Sequence, residues 1–333
     1  MQAIQFPARG VVALADLPMP FAAPGRILVE VRASGICHTD IDVLNGRYGA
    51  GAYPLVPGHE FSGTVVALGD GVAGLALGDH VVIDPNLACG TCRACRRGRI
   101  NLCEKLGAYG VSCDGGFEEY VAVDAARAVP AGDMPFDLSA LAEPLGCVLN
   151  GVAAADAARA ESALVFGAGP IGLLMALALR DAGVAEVAVC ERDAGRLAFV
   201  ESLGLRPVEA EPEVSAANRH RYDLVTDATG VPAVAGRMAD YTADGGTVLF
   251  FGVCPPDARI AVSPFEVFRR ELRLVGSHSL NRNIPEALAV LRREAVTMSR
   301  LVSHRLPLAE IAGFMSGGKG AGGTMKVQYF AGA

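Results

Sequence analysis

The run SALVFGAGPIGLLMALALRDAG, residues 162–183, decides the fold. Its opening SALVF is a continuous apolar stretch, suited to a strand covered on both faces. PIGLLMALALRDAG reads as a helix that stops at Gly183. Between the two, Gly167, Gly169 and Gly172 form a G-x-G-x-x-G directly after the strand and at the mouth of the helix. The first glycine permits a tight turn, the second lets a pyrophosphate approach the backbone, and the third lets the helix pack close to the strand. The helix N-terminus, opened by Pro170 and offering its N–H groups from Ile171 onward, then presents unpaired donors and a favourable dipole to the phosphates. In a chain of 40 glycines the motif alone is weak. The strand–turn–helix context strengthens it, and so does Glu191 at the end of the next strand, placed to meet the adenosine ribose hydroxyls. A carboxylate there repels a 2′-phosphate, which favours NAD. Arg192 and Arg196 beside it could pair with that phosphate, which keeps NADP as the second choice.

Working outward, AEVAVC (185–190), YDLVTDATG (222–230), GGTVLFFG (245–252) and LRLVGS (272–277) are apolar runs separated by helix-length segments. Strands alternating with helices predict a doubly wound parallel sheet over residues 146–281. Residues 1–145 have a different texture, with short β-type runs such as RILVEVRASG, FSGTVVALG, DHVVIDP and GFEEYVAV between Gly and Pro turns. They predict a barrel-like all-β unit with long loops. TMKVQYF near the C-terminus is strand-like again, so residues 282–333 are expected to return to that first unit.

Composition bounds the function. With 51% hydrophobic and 20% charged residues in 333, the chain has enough to bury for two domains. Its 29 Lys and Arg against 36 Asp and Glu give a net charge of −7, which argues against nucleic acid or an anionic membrane as partner. The start lacks the features of a signal peptide, and no apolar run is long enough to cross a bilayer. Nine cysteines without an export signal suggest a reducing, cytoplasmic setting, where clustered thiols are more often metal ligands than disulfides.

Two groups of residues have metal-ligand character. SGICHTD (34–40) and VPGHEFSG (56–63) supply Cys37, His38, Thr39, Asp40, His59 and Glu60; a thiolate, an imidazole and a carboxylate suit Zn²⁺ with a position left for substrate. Taken singly, Cys37 could equally be a small buried apolar residue and His59 a structural histidine. ACGTCRACRRGRINLC (88–103) holds Cys89, Cys92, Cys95 and Cys103, spaced by two, two and seven residues. Four thiolates fill a tetrahedral zinc and leave no open position, so this cluster reads as a structural clamp over about residues 86–105. An iron–sulfur cluster fits the cysteine count but not the usual spacings. The arginines between the cysteines read as the solvated outside of the loop.

GICHTD, GHEFSGTVVALG, the four-cysteine lobe and VFGAGPIG, in that order along the chain, resemble the zinc-dependent medium-chain dehydrogenase/reductase superfamily over essentially the whole chain. The resemblance implies a GroES-like β-barrel catalytic domain interrupted by a Rossmann domain. It makes Cys37 and His59 ligands of a catalytic zinc and Glu60 a ligand or a close neighbour of one. It makes the four-cysteine cluster a second, structural zinc site. In LAEPLGCVLNG (141–151) the family's polyol (sorbitol-like) and threonine dehydrogenase pattern points to Glu143 as a further ligand, rather than Cys147. Thr39 is implied as acceptor of the substrate hydroxyl proton, with His38 at the outer end of a relay or, equally, a phosphate contact. Gly252, Val253 and Ser277 are weaker candidates for contact with the nicotinamide. The implied reaction is hydride transfer between a secondary alcohol or polyol and NAD, giving a ketone, in a homodimer or homotetramer. Threonine or a simple secondary alcohol is the alternative substrate. A non-catalytic nucleotide-binding protein on this fold is the alternative from another class.

Overall fold

The computed structural model describes residues 1–49, 52–317 and 323–333. The chain forms two compact units, one of residues 147–279 and one of residues 1–146 with 280–333.

In the 147–279 unit six strands make one parallel sheet. In spatial order they are Arg206–Glu209, Glu186–Glu191, Ser162–Phe166, Tyr222–Asp227, Thr242–Phe250 and Arg273–Gly276. The order reverses between Ser162–Phe166 and Tyr222–Asp227, so a crevice opens at their carboxyl ends, where doubly wound sheets bind ligands. Ala163, Leu164 and Val165 are fully buried, as the continuous apolar run requires. The helix Pro170–Asp181 is apolar all round and buried all round, with Leu173, Leu174, Leu177 and Leu179 at zero exposure.

The glycine motif has the geometry its spacing predicts. Gly167 adopts φ +99°, a left-handed value that costs other residues strain. A Cβ on Gly169 would meet nothing within 4 Å, so the loop face stays open. A Cβ on Gly172 would lie 1.8 Å from the Gly167 carbonyl oxygen.

The other unit is built on a seven-stranded sheet. Its path runs Val302–Leu306, Lys326–Phe330, Arg26–Gly35, Glu60–Leu68, His80–Ile83 and Ala128–Pro130, and Tyr120–Asp124 pairs additionally with Arg26–Gly35. The core includes fully buried Phe6, Phe61 and Phe117 with Val29, Val65 and Val121. Strand register positions the site. Gly35 pairs with Glu60 on one side and with Gln328 on the other, so the ends of three strands bring residues 35–40, 59–60 and 326 together. The cysteine lobe leaves this unit through the short antiparallel pair Asn86–Leu87 and Gly107–Ala108, and carries the helix Arg93–Arg96.

The spacing at Gly172 makes a direct stability prediction. Gly172→Ala forces a Cβ into the Gly167 carbonyl, which is backbone and cannot swing aside. Urea denaturation should show a loss of about 1–3 kcal/mol, as for other overpacked sites, together with loss of dinucleotide binding. A variant as stable as its parent contradicts the packing described.

Candidate active site and metal centres

The ligand atoms of Cys37, His59 and Glu60 all lie within 4.8 Å of one another. Cys37 is the N-cap of the helix His38–Leu44, and His59 and Glu60 stand where the strand Glu60–Leu68 begins. Asp40 ties the two segments together. It is fully buried; its Oδ2 accepts from the Cys37 backbone N–H at 2.8 Å, and its Oδ1 lies 3.3 Å from both the Gly58 nitrogen and His59 Nδ1. With Nδ1 turned to Asp40, Nε2 is the ring nitrogen left to ligate, the usual way a carboxylate orients a metal-binding histidine. Burial alone would pull the His59 pKa down; Asp40 and then Cys37 outweigh it and hold the ring well above its ordinary value. A buried cluster of thiol, imidazole and carboxylate that attracts positive charge this way fits Zn²⁺ in its donor chemistry.

Glu60 has a second partner. Lys326, itself 3% exposed, donates from Nζ to Glu60 Oε1 at 2.7 Å and to the Ile36 carbonyl at 3.0 Å. Burial lowers the Lys326 pKa, yet Glu60, Cys37 and Glu143 together raise it above its usual value. Room for the Glu60 carboxylate exists because residue 35 is glycine: a Cβ there would lie 2.2 Å from Glu60 Oε2.

Glu143 is buried in the first turn of the helix Ala142–Ala154 and lies within electrostatic reach of Lys326, but outside the three-residue group. Cys147 is half-buried and also outside it. Thr39 is half-buried on the helix next to Cys37. The His38 side chain is 82% exposed, with Nε2 3.8 Å from Asp42 Oδ1. The same carboxylate oxygen, Asp42 Oδ1, accepts from Arg47 Nε at 2.9 Å.

The sulfurs of Cys89, Cys92, Cys95 and Cys103 likewise lie within 4.8 Å of one another. Backbone N–H groups are aimed at them: Cys103 Sγ accepts from Cys89 and Lys105 at 3.3 Å, and Cys89 Sγ from Cys92 at 3.4 Å. Backbone donors from Thr91 and Cys92 bring the Cys89 thiol down to about 6, while burial and the neighbouring Cys92 and Cys103 push Cys95 up to about 12. Four thiols, two of them (Cys89 and Cys92) ionising more readily than an ordinary thiol, form a metal-ready cluster whose sulfurs would use every tetrahedral position. Arg93, Arg96, Arg97 and Arg99 are exposed around it. Asn281 braces the lobe, accepting from Ile100 N and donating to Gly98 O, each at 3.0 Å.

In the sheet unit, Glu191 folds back on the glycine loop. Its Oε2 accepts from Ala168 N at 3.0 Å, its Oε1 accepts from Arg192 N at 2.6 Å and Asp193 N at 3.3 Å, and Arg196 Nη1 lies 3.7 Å from Oε2. Burial works to raise its pKa; the three backbone donors and then Arg196 outweigh it and hold the carboxylate below the usual range. Arg192 is exposed. Gly252, Val253 and Ser277 follow the carboxyl ends of Thr242–Phe250 and Arg273–Gly276, at the crevice end of the sheet. Val253 is 85% exposed.

Four contributors were not identifiable beforehand. Asp40 lay in a quoted motif without a role, and Lys326 lay in a strand with none. Asp227, buried at the end of its strand, accepts from Thr229 N at 2.7 Å and Gly230 N at 3.1 Å, and so shapes the turn facing Gly252. Asn150 Nδ2 donates to the carbonyl of Ser279 at 2.8 Å and lies 3.3 Å from Ser277 Oγ and the His278 carbonyl. It holds a segment in which Ser279 has a left-handed φ of 54°.

A two-unit chain with a thiol–imidazole–carboxylate group in one unit, a glycine-rich nucleotide loop in the other and a closed four-thiol lobe has the architecture of a zinc-type alcohol dehydrogenase. Comparison with known proteins agrees. The family described as alcohol dehydrogenase GroES-like domain matches residues 23–133, and glucose dehydrogenase C-terminus matches residues 136–320. A D-altritol 5-dehydrogenase of Agrobacterium fabrum is 53% identical over 99% of this chain and 100% of its own length. A zinc-binding dehydrogenase of Sinorhizobium meliloti 1021, solved bound to NADP, is 31% identical with a TM-score of 0.93, covering 99% of this chain and 98% of its own. An alcohol dehydrogenase of Escherichia coli CFT073, solved with NADH, is 25% identical with a TM-score of 0.89, covering 99% of both chains. The chain belongs to the zinc-dependent medium-chain dehydrogenase/reductase superfamily. Among the described residues, no helix is long and apolar enough to cross a membrane.

Asp40→Asn keeps the shape of the bridge but removes its charge. Metal affinity, measured by competition with a chromophoric chelator, should fall about 10–100-fold with the fold intact, as when other outer partners of metal-bound histidines are lost. Unchanged affinity contradicts the role given to Asp40. Cys95→Ser should act on the other cluster, lowering the melting temperature before it lowers turnover. Lost turnover at an unchanged melting temperature contradicts a purely structural lobe.

Proposed function

We propose that this chain oxidises a secondary hydroxyl of a polyol to a ketone, passing the hydride to NAD. The observation that carries the reading is the 53% identity, over 99% of the chain, to a D-altritol 5-dehydrogenase, together with the donor group at Cys37, His59 and Glu60. Zinc would supply Lewis-acid activation of the hydroxyl, and the nicotinamide a hydride acceptor.

The chain's own residues supply placement and proton handling. Cys37 and His59 would hold the metal, with Asp40 orienting the imidazole; of the two buried carboxylates, Glu143 would be the further ligand, and Glu60, paired with Lys326, would be held in reserve within the donor group. Thr39 Oγ accepts the hydroxyl proton. His38, largely exposed and steadied by Asp42, passes it to solvent. The four-thiol lobe would hold a second zinc, with no position left for substrate and no part in the chemistry.

Glu191 supports NAD over NADP. Its carboxylate stands at the end of the second strand of the nucleotide fold, where a 2′-phosphate would meet like charge. Arg196 is already paired with it, which leaves only exposed Arg192 for a phosphate. The reading includes a reducing, cytoplasmic setting and a homodimer or homotetramer. The exposed Leu274 on the edge strand Arg273–Gly276 supports assembly through that sheet edge.

The test is an initial-rate panel of hexitols, pentitols, simple secondary alcohols and threonine with NAD and NADP. A hexitol should give the highest kcat/KM, with NAD at least about tenfold better than NADP, the factor that 1.4 kcal/mol of charge repulsion produces. A threonine preference, or NADP above NAD, overturns the corresponding part. For the ligand choice, Glu143→Ala should lose the catalytic metal and turnover, whereas Cys147→Ala should keep both. The reverse pattern makes Cys147 the ligand.

A further inference from the structure

The four-thiol lobe is tied to a segment far along the chain. Asn281 reaches into the stretch between Cys95 and Cys103 and pairs with it twice: Oδ1 accepts from Ile100 N, and Nδ2 donates to the Gly98 carbonyl, each at 3.0 Å. Ile100 opens the single 3₁₀ turn Ile100–Leu102, whose first N–H has no acceptor within the turn, and Asn281 fills that role. At the base of the lobe Asn86, 3% exposed, donates from Nδ2 to the Leu280 carbonyl at 2.9 Å. Its own N–H goes to Asp84 Oδ1 at 3.0 Å, and the buried Asp84 carboxylate also feels the charge of Arg282. The Leu280 side chain is fully buried. Residues 280–282 are thus fastened to the lobe and its base across more than 180 residues of sequence.

Residues 277–279 lead directly into this anchor, and they are the ones that Asn150 holds through the Ser277 hydroxyl and the His278 and Ser279 carbonyls. Ser279 and Arg282 both take left-handed φ values, 54° and 66°. Such values cost a residue with a side chain free energy and persist only where the surroundings fix them. Here the fixing groups are Asn150, Asn86 and Asn281. With four peptide bonds between Ser277 and Asn281 and strain on both sides of Leu280, the segment has little slack. A shift of the lobe at Gly98 and Ile100 is passed on to the Ser277 hydroxyl.

Asn281 stands outside the Cys37, His59 and Glu60 group, and its two side-chain bonds go to the lobe alone. We propose that Asn281 is a positioning residue: it fastens the segment carrying Ser277 to the closed lobe, so that the lobe, without taking part in the chemistry, sets how tightly the nicotinamide end of the dinucleotide is held. The inference rests on the dinucleotide reading above, with Ser277 beside the nicotinamide.

The test titrates the zinc-loaded full chain with two ligands. NADH is followed by its fluorescence. ADP-ribose, which has the adenosine and pyrophosphate but no nicotinamide, is followed by calorimetry. Asn281→Ala removes both bonds to the lobe. It should weaken NADH about tenfold, the size of two ordinary hydrogen bonds, and leave ADP-ribose within about twofold. Cys95→Ser, which opens the lobe, should weaken NADH by a similar factor, and the double variant should be no weaker than either, because both break one link. The proposal fails if Asn281→Ala lowers the melting temperature but not NADH affinity, or if NADH and ADP-ribose weaken alike. It fails too if the effects of the two substitutions multiply. A parent that binds neither ligand overturns the dinucleotide reading, and the proposal falls with it.

Discussion

The donor group of Cys37, His59 and Glu60 depends on one buried carboxylate. Asp40 meets the backbone N–H groups of Cys37 and Gly58 and faces the ring of His59, so a single side chain sets the spacing of two metal-ligand-type side chains from different segments. Its own burial is tolerable because each oxygen has a donor nearby; removing those donors would leave a charge in a dry interior, a loss of several kcal/mol. Lys326 does the matching task on the other side, neutralising Glu60 so that a carboxylate can sit beside a thiolate. The strand register that pairs Gly35 with both Glu60 and Gln328 makes the two arrangements possible at once. Fold and chemistry meet in that three-strand corner.

The two cysteine-bearing groups follow opposite logics. The lobe crowds four sulfurs together and aims backbone N–H groups at them, so a tetrahedral ion would be fully enclosed by protein. The other group has fewer donors, of mixed type, braced from behind by Asp40 and Lys326. A site that must exchange substrate needs a vacant coordination position; one that only staples a loop does not. On the proposed reading, cysteine density marks the scaffold and mixed donors mark the chemistry.

How much was legible in the sequence followed how local each feature is. The glycine loop and the four-cysteine lobe are defined within about twenty residues, so spacing alone exposed them. Cys37 and His59 needed the family's order of motifs to be linked, because nothing in either segment announces the other. Lys326 was out of reach: it meets Glu60 across 266 residues, through a strand pairing that hydropathy does not reveal. Asn150 reads as an ordinary polar residue in a helix, and its task depends on the left-handed Ser279 far along the chain.

Division of labour between an open donor group and a closed one can be read out by stepwise metal removal. As zinc is withdrawn by a strong chelator, metal content, polyol turnover and melting temperature are followed on the same samples. The account predicts that loss of the first equivalent abolishes turnover at an unchanged melting temperature, and that loss of the second lowers the melting temperature. Turnover and melting temperature falling together with a single equivalent would contradict it.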